Sequence, residues 1–341
     1  MSESNRWRTL VVVNPCFQFW RILNTHGVGG WLECLERLVF LSDDDEEERL
    51  FFPGLYHVFQ NAPKLRSVIN NSHFTLIEAS LPWSRLTEYQ GFGLVPSRDH
   101  FHILHRTPNL EQCCLVFQSH YYNMAHGLSL GTPVILRCLK RLTTKWSFYD
   151  SGLSAMLRGL RLPALKQLSI LGGEYHLFDR EFVDLPFLLQ SSGCQLEMLE
   201  LSGSVTNRDG LLEILSSVPT VTYLRLWVMQ VPAAIHDIVL VLLNTKEKGR
   251  IILPRLNTLE FCLPEPSDFR AVDLAVLTEL VRWRWSHLPA ESHILRLYIA
   301  LWTPYVTDER GIRSLPPILE TLNEEGLQIS IHSCEEGVWE R

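Results

Sequence analysis

The sequence predicts an α/β solenoid, in which repeat units stack with parallel strands on one side and helices on the other. A short phrase with apolar residues at positions one, four and usually six recurs ten times, at intervals of 21 to 38 residues. A recurrence of this size is typical of stacked supersecondary units. The phrases begin at Leu35, Leu65, Leu86, Leu110, Leu139, Leu165, Leu196, Val221, Leu256 and Ile294.

Each phrase contains a short strand with one buried face. Positions four and six are two residues apart, so their side chains point to the same face of a strand. The residue at position one lies in the bend before the strand, and its side chain points to the same buried face. Apolar character is lost at position six where Gly91 and Thr144 stand. We therefore expect the strands near 86–91 and 139–144 to be the least regular.

Prolines support the same register. A proline stands two residues before position one in five units. Because proline lacks an amide hydrogen and biases the preceding residue away from helix, it suits a helix-to-strand junction. Each unit is thus predicted to run through helix, bend, strand and return loop. The prolines are Pro63, Pro108, Pro163, Pro219 and Pro254, and helix-like apolar patterns precede four of them at Leu55/Val58/Phe59, Phe101/Leu104/His105, Met156/Leu160 and Leu211/Leu212/Leu215.

No Pro/Gly/Ser-rich linker divides the chain, so the sequence predicts one repeat domain over residues 1–341. We expect an N-terminal cap at 1–33, about ten irregular repeats at 34–302 and a C-terminal cap at 303–341. Such caps hide the apolar ends of a repeat array.

Several segments outside the ten phrases have the patterns of a helix or a strand. Trp7–Val13 is predicted as an entering strand and Phe17–Leu23 as a helix. The two longest intervals accommodate helices at Ile235–Leu243 and Val272–Trp285. The alternation of Leu327, Ile329 and Ile331 predicts a closing strand.

Composition limits the classes of function. The formal charge is −7 and the pI is about 6.0, which argues against a general binder of nucleic acid or anionic membrane. No run of 18 apolar residues occurs, and the N-terminus lacks a secretory signal pattern, so we expect a cytoplasmic or nuclear protein. The eight cysteines form no C-x-x-C pair and are interpreted as reduced packing residues.

Candidate chemistry is sparse. Gly127–Gly131 matches the G-x-S-x-G motif around Ser129, but the flanking residues suit neither the strand nor the helix that this motif needs. A serine hydrolase using Ser129 is kept as a remote alternative. Asp99, His100, His102 and His105 form the only dense metal-like cluster, and no cysteine or carboxylate group stands at a recognised spacing to complete a site. We therefore predict a non-enzymatic protein without a cofactor, and leave open whether these histidines bind a metal.

The register also predicts which side chains face a partner. Positions three, five and seven should be exposed on the concave face of a horseshoe, opposite the buried positions four and six. Arg, Tyr and Trp are the residues most enriched in interface hot spots. The predicted partner-binding residues are Tyr223, Arg225, Trp227, Glu260, Arg296 and Tyr298. The residues predicted to share the same exposed face are Met198, Glu200, Ser202, Thr258, Cys262, Ala300, Arg141, Thr143 and Lys145.

Longer stretches of the sequence resemble the leucine-rich repeat regions of F-box proteins from mushroom-forming fungi. The stretches are RWRTLVVV (6–13), CLERLVFLS (34–42), NAPKLRSV (61–68), LPWSRLTEYQG (81–91), RTPNLEQCCLVF (106–117), LPALKQLSIL (162–171), SGCQLEMLELSGS (192–204) and LPRLNTLEF (253–261). In that family an F-box precedes the repeats and docks onto a Skp-type adaptor, while the repeats recruit targets for ubiquitination.

The resemblance implies a protein-interaction module, the substrate-recognition part of an SCF-type ubiquitin ligase. RWRTLVVV resembles the segment just after an F-box and begins at residue 6, so we expect a member without its F-box. Either the gene product is truncated, or the homologue has lost its adaptor-binding half. The resemblance then implies binding to a Skp-type adaptor and cullin only if an F-box is supplied. The alternative is an F-box-less scaffold or decoy that binds a protein target.

Overall fold

The computed structural model alternates short strands with turns and helices. It describes residues 6–13, 32–41, 59–71, 76, 80–92, 97–117, 132–146, 151–172, 184–202, 208–227, 238–239, 241–242, 251–263, 271–302 and 317–334. The strands are β1 (Thr9–Val13), β2 (Arg37–Leu41), β3 (Ser67–Asn71), β4 (Glu88–Gly91), β5 (Gln112–Phe117), β6 (Val134–Ile135), β7 (Arg141–Trp146), β8 (Leu160–Arg161), β9 (Gln167–Gly172), β10 (Met198–Ser202), β11 (Tyr223–Trp227), β12 (Thr258–Leu263), β13 (Arg296–Trp302) and β14 (Gln328–Cys334). The helices are α1 (Ser97–Arg106), α2 (Ser151–Gly159), α3 (Leu185–Ser192), α4 (Arg208–Ser217), α5 (Ala271–His287) and α6 (Pro317–Glu324).

The chain divides into two compact units. Unit 1 comprises Met1–Leu165 with Ser191–Cys194, and unit 2 comprises Lys166–Gln190 with Gln195–Arg341. In unit 1 the strands pair in parallel in the order β1-β2-β3-β4-β5-β7. In unit 2 they pair in parallel in the order β9-β10-β11-β12-β13-β14. Spatial order follows chain order, as expected of repeats that contact their neighbours.

A proline turn leads into many of the strands. The amide of Leu65 donates to the carbonyl of Ala62 over 3.1 Å, and Pro63 is the second residue of that four-residue turn. The same bond joins Leu110 to Thr107 over 3.2 Å and Leu256 to Leu253 over 3.1 Å. Proline suits this position because its φ angle is already set for a turn. The predicted bend is therefore a β-turn.

One carbonyl per repeat then aligns the next strand. The amides of Arg66 and Ser67 both donate to the carbonyl of Glu36, over 2.9 and 3.1 Å. In unit 2 the amides of Thr222 and Tyr223 donate to the carbonyl of Glu197 in the same way. This shared acceptor recurs along both units and fixes how neighbouring strands are placed.

Burial confirms the predicted register. All ten residues at position one are at most 1% exposed. All residues at positions four and six are buried, including Gly91 and Thr144 in the two phrases expected to be irregular. The strands around them, β4 and β7, are formed. The α/β repeat fold that the sequence predicts is therefore confirmed.

Most helices and terminal strands match their predictions. The entering strand, the closing strand and the helix predicted at Val272–Trp285 are present as β1, β14 and α5. The four described helical residues within the predicted helix 235–243 are buried. The prediction is wrong for Leu160, which lies in β8 and pairs with Val134 of β6. The helix predicted at Phe17–Leu23 lies outside the described residues, and none of the helices within them could cross a membrane.

A buried cation organises one bend of unit 2. Arg284 of α5 is fully buried. Its guanidinium donates three hydrogen bonds to backbone carbonyls. The acceptors are Ser292 (Nε, 3.1 Å), Ile252 (Nη1, 3.3 Å) and Leu253 (Nη2, 2.8 Å). Leu253 has a φ of +49°, a conformation unfavourable for a residue with a Cβ. Burial lowers the pKa of Arg284 to about 10, so the side chain remains charged at neutral pH.

A buried histidine packs against a glycine in unit 1. His100 of α1 is fully buried, and its ring lies against Gly91 so closely that a Cβ there would meet Cε1 at 2.6 Å. Its ring also contacts Phe117 edge-on, with centroids 5.3 Å apart. Burial lowers the pKa of His100 to about 4 and raises those of nearby Tyr89 and Cys113, so all three groups are neutral at pH 7.

We expect His100 to make the protein less stable in mild acid. Its folded pKa, about 4, is below the ordinary value of 6.5, so the unfolded chain binds more protons between these values. Stability should therefore fall as the pH falls through this window, by about 2 kcal/mol between pH 7 and pH 5. Urea unfolding at several pH values measures the slope. His100→Gln should flatten it, whereas His105→Gln, an exposed position on the same helix, should not. An unchanged slope in His100→Gln would contradict this assignment.

Candidate partner-binding face

The candidate site is the non-core face of unit 2, formed by positions three, five and seven of its repeats. Parallel pairing aligns these positions into rows that cross the strands. The third-position row is Gln167, Met198, Tyr223, Thr258, Arg296 and Gln328. The fifth-position row is Ser169, Glu200, Arg225, Glu260, Tyr298 and Ser330. The seventh-position row contains Leu171, Ser202, Trp227, Cys262 and Ala300.

Arg225 lies at the centre of this face between two carboxylates. Its Nη1 is 3.2 Å from Oε1 of Glu200, and its Nη2 is 2.7 Å from Oε1 of Glu260. These three side chains are 27%, 10% and 6% exposed, respectively. Burial alone would lower the pKa of Arg225, but the hydrogen bond and charge of Glu260 outweigh it and raise that pKa. The guanidinium is therefore a fixed cation that links three strands.

Further donors hold the two carboxylates in place. Glu200 accepts hydrogen bonds from the hydroxyl of Ser169 over 2.6 Å and from the indole Nε1 of Trp227 over 2.9 Å. Glu260 accepts one from the hydroxyl of Tyr223. Burial, with the hydrogen bond to Glu260, raises the pKa of Tyr223, so this phenol stays a neutral donor. Networks of this kind rigidify the residues that they connect.

The prediction that Trp227 is exposed is wrong. Its side chain is only 8% exposed, and it clusters with Leu171 and Cys262 of the same row. The guanidinium of Arg225 lies 5.7 Å from the centroid of the indole ring. The physical reason is that a large aromatic side chain gains more from packing on Leu171 and Cys262 of its row than from contact with solvent.

Exposure was also predicted wrongly for other members of the face. Glu260, which was expected to meet a partner, is buried because Arg225 and Tyr223 enclose its carboxylate. The same correction applies to Glu200, Ser202, Thr258 and Cys262, all of which are buried.

Other predicted residues do reach the surface. Arg296 is exposed, and its Nε donates to the side chain of Gln328 over 3.2 Å. Tyr223, Arg225 and Tyr298 are half-buried, with part of each side chain accessible. Met198 is half-buried as well. Arg225 belongs to the Glu200–Arg225–Glu260 network, and the other accessible side chains lie around that network. The accessible part of the face therefore surrounds a rigid centre.

Sequence reasoning missed Ser169 and Leu171. Both stand in a strand whose exposed positions it did not consider, one strand before Glu200. Their position in the rows was the available signal, because the same counting that identified Tyr223 places Ser169 in the fifth-position row.

The structure does not support a metal site at the three histidines that the sequence analysis singled out. His100 is buried in the core, whereas His102 and His105 are exposed on the other side of α1. Within the described part of the chain, no group of three or more His, Cys, Asp or Glu residues could hold a metal ion. Glu197 forms an exposed ion pair with Lys166 over 2.5 Å and contributes no acid–base group to the network. The Ser129 motif lies outside the described residues.

Ten regularly buried phrases, parallel strands in chain order and helices in the connections define the fold class. Both units have the leucine-rich repeat fold. No protein-family model matches this sequence, and no curated protein matches it.

Two solved structures resemble the chain. The leucine-rich repeat-containing protein LegL7 from Legionella pneumophila aligns with a TM-score of 0.47 and 15% identity, over 96% of this chain and 91% of LegL7. TLR13, in a complex with ssRNA13, aligns with a TM-score of 0.36 and 12% identity over 80% of this chain. The alignment covers 34% of the TLR13 chain, so this chain spans about a third of its length.

Proposed function

We propose that the chain is a non-enzymatic binding module that holds a protein partner on the non-core face of unit 2. The observation that carries the proposal is the fixed Arg225 between Glu200 and Glu260, bordered by accessible Tyr223, Tyr298 and Arg296 side chains.

Pre-organisation is the physical support for this proposal. An arginine held by two carboxylates loses little rotational freedom when a partner binds, which removes part of the entropic penalty of association. Tyrosine and arginine are also the residues that contribute most often to interface hot spots. Rows that cross several strands present such side chains over an extended surface, which suits a protein better than a small ligand.

The finer proposal concerns the assembly in which the module works. The resemblance to fungal F-box proteins supports a role as the substrate-recognition part of an SCF-type ubiquitin ligase, with a Skp-type adaptor and cullin as further partners. An F-box-less scaffold or decoy would use the same face without them. Repeat folds serve many functions, so the assembly has to be tested directly.

The test is affinity capture from fungal lysate with quantitative mass spectrometry, using wild-type chain and the double variant Arg296→Ala/Tyr298→Ala. Both side chains reach the surface of β13, so the variant should fold normally. Loss of two hot-spot contacts should reduce partner recovery by roughly tenfold or more. Arg141→Ala, which alters an exposed third-position arginine of unit 1, is the matched control and should bind normally.

The proteins recovered separate the alternatives. A target recovered together with a Skp-type adaptor and cullin supports the ligase role, and a target recovered without them supports the scaffold. If the double variant captures the same proteins in the same amounts as wild type, the non-core face of unit 2 is not the binding site.

A further inference from the structure

Within the described part of the chain, one edge of the first strand of unit 1 has no neighbouring strand. Among the described strands, β1 pairs only with β2, so the backbone groups on its other side lack a strand partner. Edge strands usually carry a charge, a proline or a bulge that prevents pairing with another chain. The sequence of β1, TLVVV, contains no charge and no proline, and it pairs with β2 residue for residue.

The same strand exposes apolar side chains. Val11 and Val13 on its non-core face are 50% and 55% exposed, and Trp7 just before the strand is 44% exposed. Val11 pairs with the half-buried Val39, which pairs in turn with Ile69. Accessible valines therefore lie on β1 and β2, and their row ends at the buried Ile69 of β3.

The last strand of unit 2 is different. Glu324 and Glu325, which precede β14 in the chain, and Gln328 at its start are exposed and polar. Terminal repeats normally need a polar outer surface of this kind. Within β1 itself every residue after Thr9 is apolar, so an apolar partner strand is the chemically suitable occupant.

We propose that β1 pairs antiparallel with β1 of a second copy of this chain, across a two-fold axis at Val11. In this register Val11 lies opposite itself, Leu10 opposite Val12, and Thr9 opposite Val13. A shift by one residue would place core-facing side chains opposite non-core ones, which the hydrophobic pattern disfavours. The strand is thus complementary to its own copy, as an isologous interface requires.

Charge favours the antiparallel arrangement. Arg6 and Arg8 are exposed just before β1. Parallel pairing would bring the arginines of the two copies together, whereas antiparallel pairing places them at opposite ends of the strand pair, on the order of 20 Å apart at 3.4 Å per residue. Like charges directly opposite each other destabilise a strand pair, so the antiparallel dimer is the better solution.

Sedimentation equilibrium of the full chain over a concentration series tests the proposal. The wild type should dimerise, and Val11→Lys should raise the dissociation constant roughly 100-fold or more, because two lysines would oppose each other at the axis. Ile135→Lys is the matched control, since Ile135 is 51% exposed on β6 and should leave the dimer intact. A monomeric wild type, or a dimer that Val11→Lys does not weaken, overturns the proposal.

Cysteine cross-linking tests the register. Residues directly opposite across an antiparallel pair have Cβ atoms about 4.5–5.5 Å apart, so Val11→Cys should form an intermolecular disulfide on mild oxidation. Val13→Cys should not, because Thr9 of the other copy lies opposite it. Wild-type chain oxidised in parallel gives the background from native cysteines. Equal cross-linking of both variants contradicts the axis at Val11.

Discussion

Replacing Arg284 with methionine is expected to lower the free energy of unfolding by about 3–5 kcal/mol. Methionine fills much of the same volume but leaves the carbonyls of Ser292, Ile252 and Leu253 without their charged donor. Leu253 also depends on this contact to keep its unfavourable backbone conformation. Because Leu253 and Leu256 close the turn that leads into β12, the bend should loosen together with the start of that strand.

Urea unfolding followed by circular dichroism measures the loss. Arg282→Met is the matched control on the same helix, because Arg282 is 50% exposed and pairs with Glu279 at the surface. Removing an exposed ion pair of this kind should change stability by less than about 0.5 kcal/mol. If the two variants unfold at the same urea concentration, the buried bonds of Arg284 do not stabilise the bend.

Trp227→Ala is expected to lower the free energy of unfolding by about 3–5 kcal/mol, the usual range for truncating a buried aromatic residue. The substitution opens a space beside Leu171 and Cys262 and removes one hydrogen-bond donor from Glu200. The sequence predicted an exposed Trp227, and truncating an exposed side chain would have little effect on folding.

Two variants calibrate that measurement. Leu224→Ala, at a fully buried position of the same strand, should lose about 2–5 kcal/mol. Trp227→Phe keeps a ring against Leu171 and removes the indole N–H, so it should lose about 1–2 kcal/mol. If Trp227→Ala unfolds at the same urea concentration as wild type while Leu224→Ala does not, the indole is free and the cluster does not stabilise unit 2.

The fold was predictable because its signals are local. Position one, position four and, in five units, the proline of the turn stand within six residues, and a sequence shows such spacings directly. Leu224 and Leu256 could be placed in the core from their own phrases, and β4 formed although Gly91 replaces the usual apolar residue. Packing of His100 explains that exception, since its ring occupies the space that a side chain at position 91 would fill.

The candidate site was only partly predictable because its details depend on distant residues. Counting positions assigned Tyr223, Arg225 and Trp227 to one face, but their burial depends on residues of other strands such as Leu171 and Glu260. The burial of Arg284 had no local signal either, because an arginine near a helix end is ordinarily exposed. Such groups become buried only when the chain supplies carbonyl acceptors from other repeats.

The carbonyl that accepts two amides in each repeat has a consequence for how the gene can change. It aligns neighbouring strands through backbone atoms alone, regardless of how many residues separate one turn from the next. The spacings of 21 to 38 residues in this chain already span that freedom. Codons inserted or deleted after a strand should therefore lengthen or shorten the connection without shifting the adjacent strands. A single codon inserted inside the turn would instead shift the following strand by one residue and exchange its core-facing and non-core side chains.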